Sequence, residues 1–585
     1  MIDALKNRFH RLVVIQTKAQ AVDYRNYRRA EGDLVLPIGP EAMYEAEING
    51  WEFCNLVDIW TEDQYNLEKE VSQEKLNALI EELNSYSRRR NSNIGLEIGN
   101  YYAFQLWVII NQISFNNFIV RSITENLTPT KVLCYTKANV QAFMELRPDP
   151  DCIFAQVLSS SRLYKDGKCE IVKIKELRKI STLREKTLSS LPVPVRAFLQ
   201  KFRNRNALKN NNSATHNLLV IGEGYDWLKL NQYPAFNEIF HLHLPPDVKC
   251  TGKVTPTQEL MEIINKSIQR EDLSSYDISG LAAALETDLI SFAEKAYDIR
   301  AMMNKYDAAV TAVLSFPRDN FLAHMAALAG LPVFVWQHGE KGQIGFDPLA
   351  IYTELFYATD YFAYAPVVVE QYKHMIGKFR LSNVIAVGSI EKRIEWQGGN
   401  TIVYATGKWF KTTIFLDPDT RLYKAHRSIL GYLDGVGSSY EVVFKANNTP
   451  GLNDVPYQLN NVKVEFDRPF TELLKTAKVI ILDTPATTLV EACSTRVPIF
   501  VLGGRCKYTD DFLAVIKRRV VWSETLEDLL GRLTVFLETD IYEADVDDQT
   551  FLQQYGASNR IAEVAESVRG CLLDRINYFN NKKEC

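Results

Sequence analysis

Residues 478–502, KVIILDTPATTLVEACSTRVPIFVL, constrain the fold of this 585-residue chain more than any other stretch. The segment reads as a buried strand, a polar turn, a short helix and a second buried strand. Residues 479–482 are an apolar run of strand length, Asp483-Thr484-Pro485 ends it, and residues 487–493 carry helix-compatible spacing. A helix that starts at the carboxyl end of a parallel strand points unpaired N–H groups and the positive end of its dipole into the crevice above the sheet, where anionic ligands bind. Thr484, Thr487 and Thr488 would line that crevice. Glu491 follows Asp483 by eight residues, about two helical turns, so it would face the same side and take ribose hydroxyls. Ordinary capping by hydroxyls and a carboxylate is the plain alternative.

Elsewhere, short apolar runs alternate with longer helical ones, the pattern of parallel α/β sheets. Strands are expected at 12–16, 33–38, 55–60, 131–136, 153–158, 217–221, 240–244 and 308–316. Long helices are expected at 62–90, 96–126 and 256–305, and residues 201–212, KFRNRNALKNNN, read as a polar, basic loop. A hinge is expected at 395–400, EWQGGN, where Gly398-Gly399 relaxes the backbone.

Four further pieces follow one another in a telling order. Residues 332–339, PVFVWQHG, form a buried strand ending in His338-Gly339, after a helix at 320–330. Residues 360–365 and 384–389 (VIAVGS, ending in Ser389) are two short strands around a helix. Residues 401–408, TIVYATGK, are a strand and turn ending in Thr406-Gly407-Lys408, and 441–445, EVVFK, is a strand ending in Lys445. With the segment around Asp483 and Glu491, this set resembles the nucleotide-sugar glycosyltransferases of the GT-B fold. Within that group it is most similar to the bacterial capsule-type Kdo transferases and the CDP-glycerol glycerophosphotransferases of surface-polysaccharide assembly. The resemblance covers residues 307–533.

The resemblance implies an α/β chain of two facing Rossmann-like domains with an elaborated N-terminal domain. It implies an acceptor-side domain with helical insertions at 1–395, a nucleotide-sugar-binding domain at 396–557, and a closing helix at 558–585 that packs back on the first domain. It further implies donor binding by Ser389, Thr406, Gly407, Lys408, Lys445, Asp483, Thr484, Thr487, Thr488 and Glu491. Many relatives carry Lys-x-His-Pro where this chain has Lys445-Ala446-Asn447-Asn448, so the histidine credited with gripping donor phosphate is absent. The glutamate pair of the retaining enzymes is here Asp483 and Glu491, which leaves the stereochemical outcome open. A CMP-linked acidic sugar is the donor the resemblance suggests.

The chemistry needs a held phosphate, a deprotonated acceptor hydroxyl and a dry site. Helix N-termini and cations stabilise a departing phosphate without a metal, worth several kcal/mol in such a site. A base that titrates near neutral pH suits the acceptor side, and His338 has that type and position, with Glu340 in reserve. A histidine at a strand end that only pairs with backbone carbonyls is the bland reading. Gly339, Gly342 and Gly345 make a flexible loop, GEKGQIG, expected to close over substrate; it lacks the GK[ST] ending of a phosphate-binding P-loop. Gly222 and Glu223, in IGEGY after a strand, would line the acceptor pocket or make a plain turn.

A chain this long with 46% apolar residues can bury several cores, on the order of three or four domain-sized units by length alone. The net charge of −5 and pI near 6.0 argue against a nucleic-acid partner. The start of the chain lacks an export signal, and the longest apolar stretch, 101–115, contains Gln105, Asn111 and Gln112 and is too short to span a bilayer. Nine scattered cysteines without C-x-x-C suit a reducing compartment. The expected setting is therefore cytoplasmic. Arg88-Arg89-Arg90 and Lys517-Arg518-Arg519 are solvated faces, or sites of peripheral attachment to the inner membrane. His241 and His243 alternate along a strand without a further ligand type beside them, so no metal is expected.

The expected partners are a nucleotide-activated sugar and a glycan or lipid-linked glycan acceptor, with no cofactor beyond the donor itself. Two other classes fit the same pattern. One is a nucleotide-sugar epimerase of the UDP-N-acetylglucosamine 2-epimerase kind, which turns over donor alone. The other is a non-catalytic carbohydrate-binding or scaffold protein, in which nucleotide changes nothing chemically.

Overall fold

The computed structural model describes residues 9–137, 150–174, 214–222, 224–246, 248, 254–268, 278–339, 341–345, 347–390, 394–407, 419–446, 457–504, 507–556 and 558–584. The loop expected at 201–212 and the candidate residues Glu223, Glu340 and Lys408 lie outside them. Three parallel sheets organise the chain. The first holds β1 (Arg11–Ile15), β2 (Asp33–Pro37), β3 (Lys131–Lys137) and β4 (Cys169–Ile174) in the order β2-β1-β3-β4. The second holds β5 (His216–Val220), β6 (Phe240–His243), β7 (Ala308–Thr311), β8 (Val333–Trp336), β9 (Asp360–Ala363) and β10 (Asn383–Ala386) in the order β10-β9-β8-β7-β5-β6.

A two-residue strand, β11 (Ser389–Ile390), then leads to the third sheet: β12 (Thr401–Ala405), β13 (Glu441–Lys445), β14 (Val462–Glu465), β15 (Ala477–Leu482), β16 (Ile499–Leu502) and β17 (Val521–Ser523). Its order is β14-β13-β12-β15-β16-β17, so the chain builds outward from β12 and then crosses to that strand's other side. This is the doubly wound Rossmann order, whose switch point lies between β12 and β15. In the second sheet the equivalent point lies between β5 and β7. Strands such as β12, β15 and β16 are buried on both faces, which is why they read as continuous apolar runs.

The first sheet is the main departure from expectation. Residues 1–395 were expected to form an elaborated Rossmann-like domain with helical insertions, and the elaboration includes a second parallel sheet. The core nevertheless runs unbroken from Leu12 to Val384, through the helices Glu62–Arg90, Ala103–Ser122 and Ser279–Met303. The third sheet packs in clusters of its own, around Val403, Ile480 and Leu489 on one face and Ile402, Ile429 and Ile481 on the other.

Two expected strands are not strands. Residues 153–158 belong to the helix Pro150–Ser160; an unbroken apolar run suits a buried helix as well as a buried strand. Residues 55–60 form a single 3-10 turn, Leu56–Ile59, begun where the Asn55 amide bonds the Asp58 carboxylate at 2.6 Å. The expected helix 96–126 is broken at Tyr102, and 256–305 is two helices, Gln258–Ile268 and Ser279–Met303. The helix Glu62–Arg90 has its expected bounds because Thr61 and Gln64 form a reciprocal capping box at its start.

The closing segment makes a two-residue strand, β18 (Ser558–Asn559), beside β11 and then the helix Ile561–Glu584. This helix lays Val564, Ala565, Val568, Leu572 and Ile576 on the second sheet. Arg575 seals the contact, its guanidinium 2.7 Å from the fully buried Asp360 carboxylate. At ~1.5–3 kcal/mol per buried aliphatic side chain, the apolar face is the larger stabilising term and the ion pair sets where the helix seats.

Candidate active site

The carboxyl ends of the second and third sheets meet through their loops. The loop leaving β8 and the loop leaving β16 touch, where the Thr509 N–H donates to the Gln343 carbonyl at 3.0 Å and its hydroxyl does so at 3.3 Å. Thr509 also caps the helix Asp510–Ile516 through the Phe512 N–H, so the contact is made by a fixed loop end.

At the switch point of the third sheet, Ala405 lies between Lys445 on β13 and Leu482 on β15. The chain leaving β12 and the chain leaving β15 are joined there by Asp483. Its carboxylate is buried and accepts four hydrogen bonds, from the Tyr404 hydroxyl (2.7 Å), the Thr406 hydroxyl (2.6 Å), the Gly407 N–H (2.8 Å) and the Thr484 hydroxyl (3.1 Å). Four candidates from the sequence, Thr406, Gly407, Asp483 and Thr484, thus meet at one point. Asp483 acts on the loop and not as a helix cap: the N-cap of Thr487–Cys493 is Ala486, which makes no side-chain cap. Capping therefore does not account for these hydroxyls. Thr487 is exposed, while Thr488 and Glu491 are half-buried on the same helix.

Behind Asp483 lies a polar chain that spacing in the sequence did not reveal. The Tyr404 hydroxyl, donating to Asp483, sits 2.9 Å from Nδ1 of His426. A hydroxyl that donates its one proton to a carboxylate must accept here, which places the proton of the imidazole on Nδ1. Burial pushes the Tyr404 phenol well above its ordinary range, with Asp483 adding to it. Burial pulls His426 down to about 4, opposed by Asp483.

His324, beneath the second sheet, is likewise pulled down to about 4, chiefly by burial; its Nδ1 lies 2.7 Å from the Tyr101 hydroxyl. Both imidazoles stay neutral in the folded chain while an unfolded chain takes up protons below pH ~6.5. Stability should therefore fall as pH drops from about 6.5 toward about 4, by ~3 kcal/mol per histidine. Urea unfolding at stepped pH, with His324→Gln and His426→Gln flattening the slope, checks this.

The remaining donor-side candidates are placed elsewhere. Lys445 is at the edge of the crevice, its ammonium 2.5 Å from the Phe466 carbonyl, and burial lowers its pKa against the pull of Glu465 and Asp467. Ser389 lies on β11, where its hydroxyl donates to the Gly556 carbonyl at 2.8 Å and ties that strand to the returning chain.

On the facing side, His338 is exposed just past the end of β8. Gln337, buried beside it, fixes the departing chain by donating to the Gly339 carbonyl and accepting from the Tyr364 N–H, both at 2.9 Å. Gly339 has a φ of +67°, a turn that a side chain would strain. Gly222, at the switch point of the second sheet, has a φ of +63°, and a Cβ there would stand 2.5 Å from the Val313 carbonyl oxygen.

The glycine loop expected to be a flexible flap is pinned. Lys341 is buried between Asp347 (2.7 Å) and Glu354 (3.2 Å), and the Gln371 amide holds the Gly342 carbonyl at 2.9 Å. Burial alone would lower the Lys341 pKa; Glu354 and Asp347 outweigh it, so the net shift is upward and the ammonium stays charged. His241 and His243 stack with ring centres 4.2 Å apart, and His243 Nε2 lies 2.8 Å from the Asn217 side-chain oxygen. Among the described residues no group of three or more His, Cys, Asp or Glu is placed to hold a metal ion.

The first sheet's unit reaches this region too. Glu47, on the helix Pro40–Ile48, accepts from the Tyr423 hydroxyl at 2.9 Å and pairs with Arg427, both on the helix Asp419–Val436 that follows β12. The Arg427 guanidinium lies 5.3 Å from the centre of the Tyr44 ring.

No family model and no curated protein matches the sequence. Solved structures do. A UDP-N-acetylglucosamine 2-epimerase from Rickettsia bellii is 14% identical over 62% of this chain and 97% of its own, with a TM-score of 0.37. MurG from Acinetobacter baumannii is 14% identical over 60% and 99%, with a TM-score of 0.33. The lipopolysaccharide outer core galactosyltransferase WaaB is 11% identical over 61% and 99%, with a TM-score of 0.36. These are remote likenesses of fold alone.

Proposed function

We propose that this chain is a glycosyltransferase that takes its sugar from a nucleotide-activated donor without a metal and passes it to a glycan or lipid-linked glycan of surface-polysaccharide assembly. The observation that supports the reading is the gathering of Thr406, Gly407 and Thr484 on Asp483 at the switch point of the third sheet, whose loop after β16 meets the loop after β8 at Thr509 and Gln343. Such a switch point is where α/β sheets bind nucleotides. Donor phosphate lies against the Thr406-Gly407 turn and the hydroxyls of Thr484, Thr487 and Thr488. Asp483 is saturated by its own neighbours, so it shapes the turn and leaves the phosphate to others. Lys445 supplies positive charge from the side.

His338, projecting from the opposite edge, takes the proton of the acceptor hydroxyl. The acceptor oxygen then bonds to the anomeric carbon, the bond from that carbon to the donor phosphate breaks, and the nucleotide leaves with the electron pair. Gly222 and Gly339 keep the acceptor side open to a sugar.

A thermal-shift screen of CMP-, UDP-, GDP- and CDP-activated donors should find one nucleotide that stabilises the chain, by ~2.7 kcal/mol at a hundred times its Kd. With that donor, His338→Ala should lose ~10²–10⁴-fold in transfer and keep donor affinity. Full transfer by the variant removes the base from the mechanism. Rapid turnover of donor in the absence of acceptor makes the chain an epimerase.

A further inference from the structure

The two basic runs evident in the sequence are consumed within the fold. Arg88, Arg89 and Arg90 pair with Glu97, Glu259 and Glu286 at 2.7, 2.5 and 2.6 Å. Arg518 pairs with Asp548 at 3.0 Å, Lys517 lies 3.9 Å from Glu524, and Arg519 is wholly buried. Their positive charge is largely neutralised at close range.

A different surface combines cations with exposed apolar side chains. The turn between the helix Pro366–Tyr372 and β10 carries Lys373, His374, Ile376, Gly377, Lys378, Phe379 and Arg380, all exposed. Ile376 is 45% and Phe379 49% exposed, which are large fractions for such side chains three positions apart. Within this turn Lys373 pairs with Glu370 at 2.5 Å, and the Arg380 guanidinium donates to the Ala327 carbonyl at 2.8 Å. The tip is rigid: Gly377 N–H donates to the Leu381 carbonyl at 2.9 Å and Lys378 N–H to the Met375 carbonyl at 3.0 Å. Phe379 adopts a φ of +55°, a left-handed conformation costly for an aromatic residue, and its ring is held edge-on against Phe356 at 5.2 Å. The strained backbone thus holds the ring half in water, with its other half packed on Phe356.

We propose that this turn docks the chain on an anionic lipid surface, with Ile376 and Phe379 entering the interface and Lys378 and Arg380 meeting the headgroups. The pairing of a shallow apolar tip with adjacent cations is what interfacial attachment requires, and each nearby Lys or Arg adds about fivefold in partitioning. The surface stands apart from the donor chemistry and does not depend on it. Because the turn enters β10 from its amino end, it lies at the pole of the second sheet opposite the cleft. The docked chain therefore opens its cleft away from the bilayer, which favours the far end of a long glycan over a sugar at the membrane surface.

Sedimentation with vesicles of phosphatidylcholine containing phosphatidylglycerol at about one part in three, against pure phosphatidylcholine, tests this. The full chain should partition to the anionic vesicles, and Ile376→Ser with Phe379→Ser should lose at least about tenfold in partitioning, Lys378→Glu about fivefold or more. Phe379→Gly relieves the left-handed strain, so it should lose vesicle binding while its thermal unfolding stays near that of the parent chain. Donor-induced stabilisation should be unchanged in all of these. Equal partitioning of parent and Ile376/Phe379 variants overturns the proposal. So does failure of the parent chain to bind anionic vesicles, or self-association that the same substitutions abolish, which would make a second copy the occupant.

Discussion

Replacing Asp483 by alanine is expected to abolish nucleotide binding and to lower the stability of the third unit by about 3–5 kcal/mol. The carboxylate is the common acceptor for Tyr404, Thr406, Gly407 and Thr484. Removing it leaves the buried Tyr404 hydroxyl facing the N–H of His426 Nδ1, and it frees the Thr406-Gly407 turn from β15. At ~2–4 °C per kcal/mol for a unit of this size, the midpoint for the third unit should fall by about 10 °C. Tyr404→Phe, which removes one donor and keeps the ring, should cost about 1–2 kcal/mol with donor affinity largely retained. Scanning calorimetry with and without the stabilising nucleotide separates the two. An Asp483→Ala chain that binds nucleotide as the parent does would move the donor pocket elsewhere.

Lys341→Met is expected to act on the facing side with a similar energetic cost and a different kinetic signature. Methionine matches the length of the side chain but leaves the carboxylates of Glu354 and Asp347 without their cation, and Glu354 is only 2% exposed. Breaking one partner out of a buried ion pair costs about 3–5 kcal/mol. The strand of loop that carries Gly339, Gly342 and the Thr509 contact then loses its anchor. Transfer should drop by ~10²-fold through misplacement of His338, with donor affinity unchanged, and hydrogen exchange should rise across 337–347. Unaltered exchange there would show that Gln337 and Gln371 hold the loop unaided.

What could be read from the sequence was what short stretches decide for themselves. The helix Thr487–Cys493 and the strand Glu441–Lys445 have the expected bounds because apolar spacing and turn residues define them locally. The two facing domains came from the family resemblance that those pieces carry. Residues 150–160 were misread because an apolar run of that length satisfies either state until its packing is known. Asp483 was named as a donor-side candidate, but its bonds to Tyr404 and Thr406 were not foreseen, since those residues are 79 and 77 positions away. His426 sits inside a helix and Lys341 inside a glycine-rich loop, with no neighbouring residue to announce a partner. Three strands of the first sheet were expected, but β4 was not, and the helices Glu62–Arg90 and Ala103–Ser122 part β2 from β3, so four short runs had to be seen as one layer.

That first unit shares its core with the second sheet and meets the third through Tyr44, Glu47, Tyr423 and Arg427. The junction is a seam between unequal bonds: a broad apolar core on one side, and on the other a small cluster in which the half-exposed ion pair of Glu47 and Arg427 lies beside the buried Tyr423. High salt, which screens that pair and spares the apolar weld, should weaken the second contact before the first.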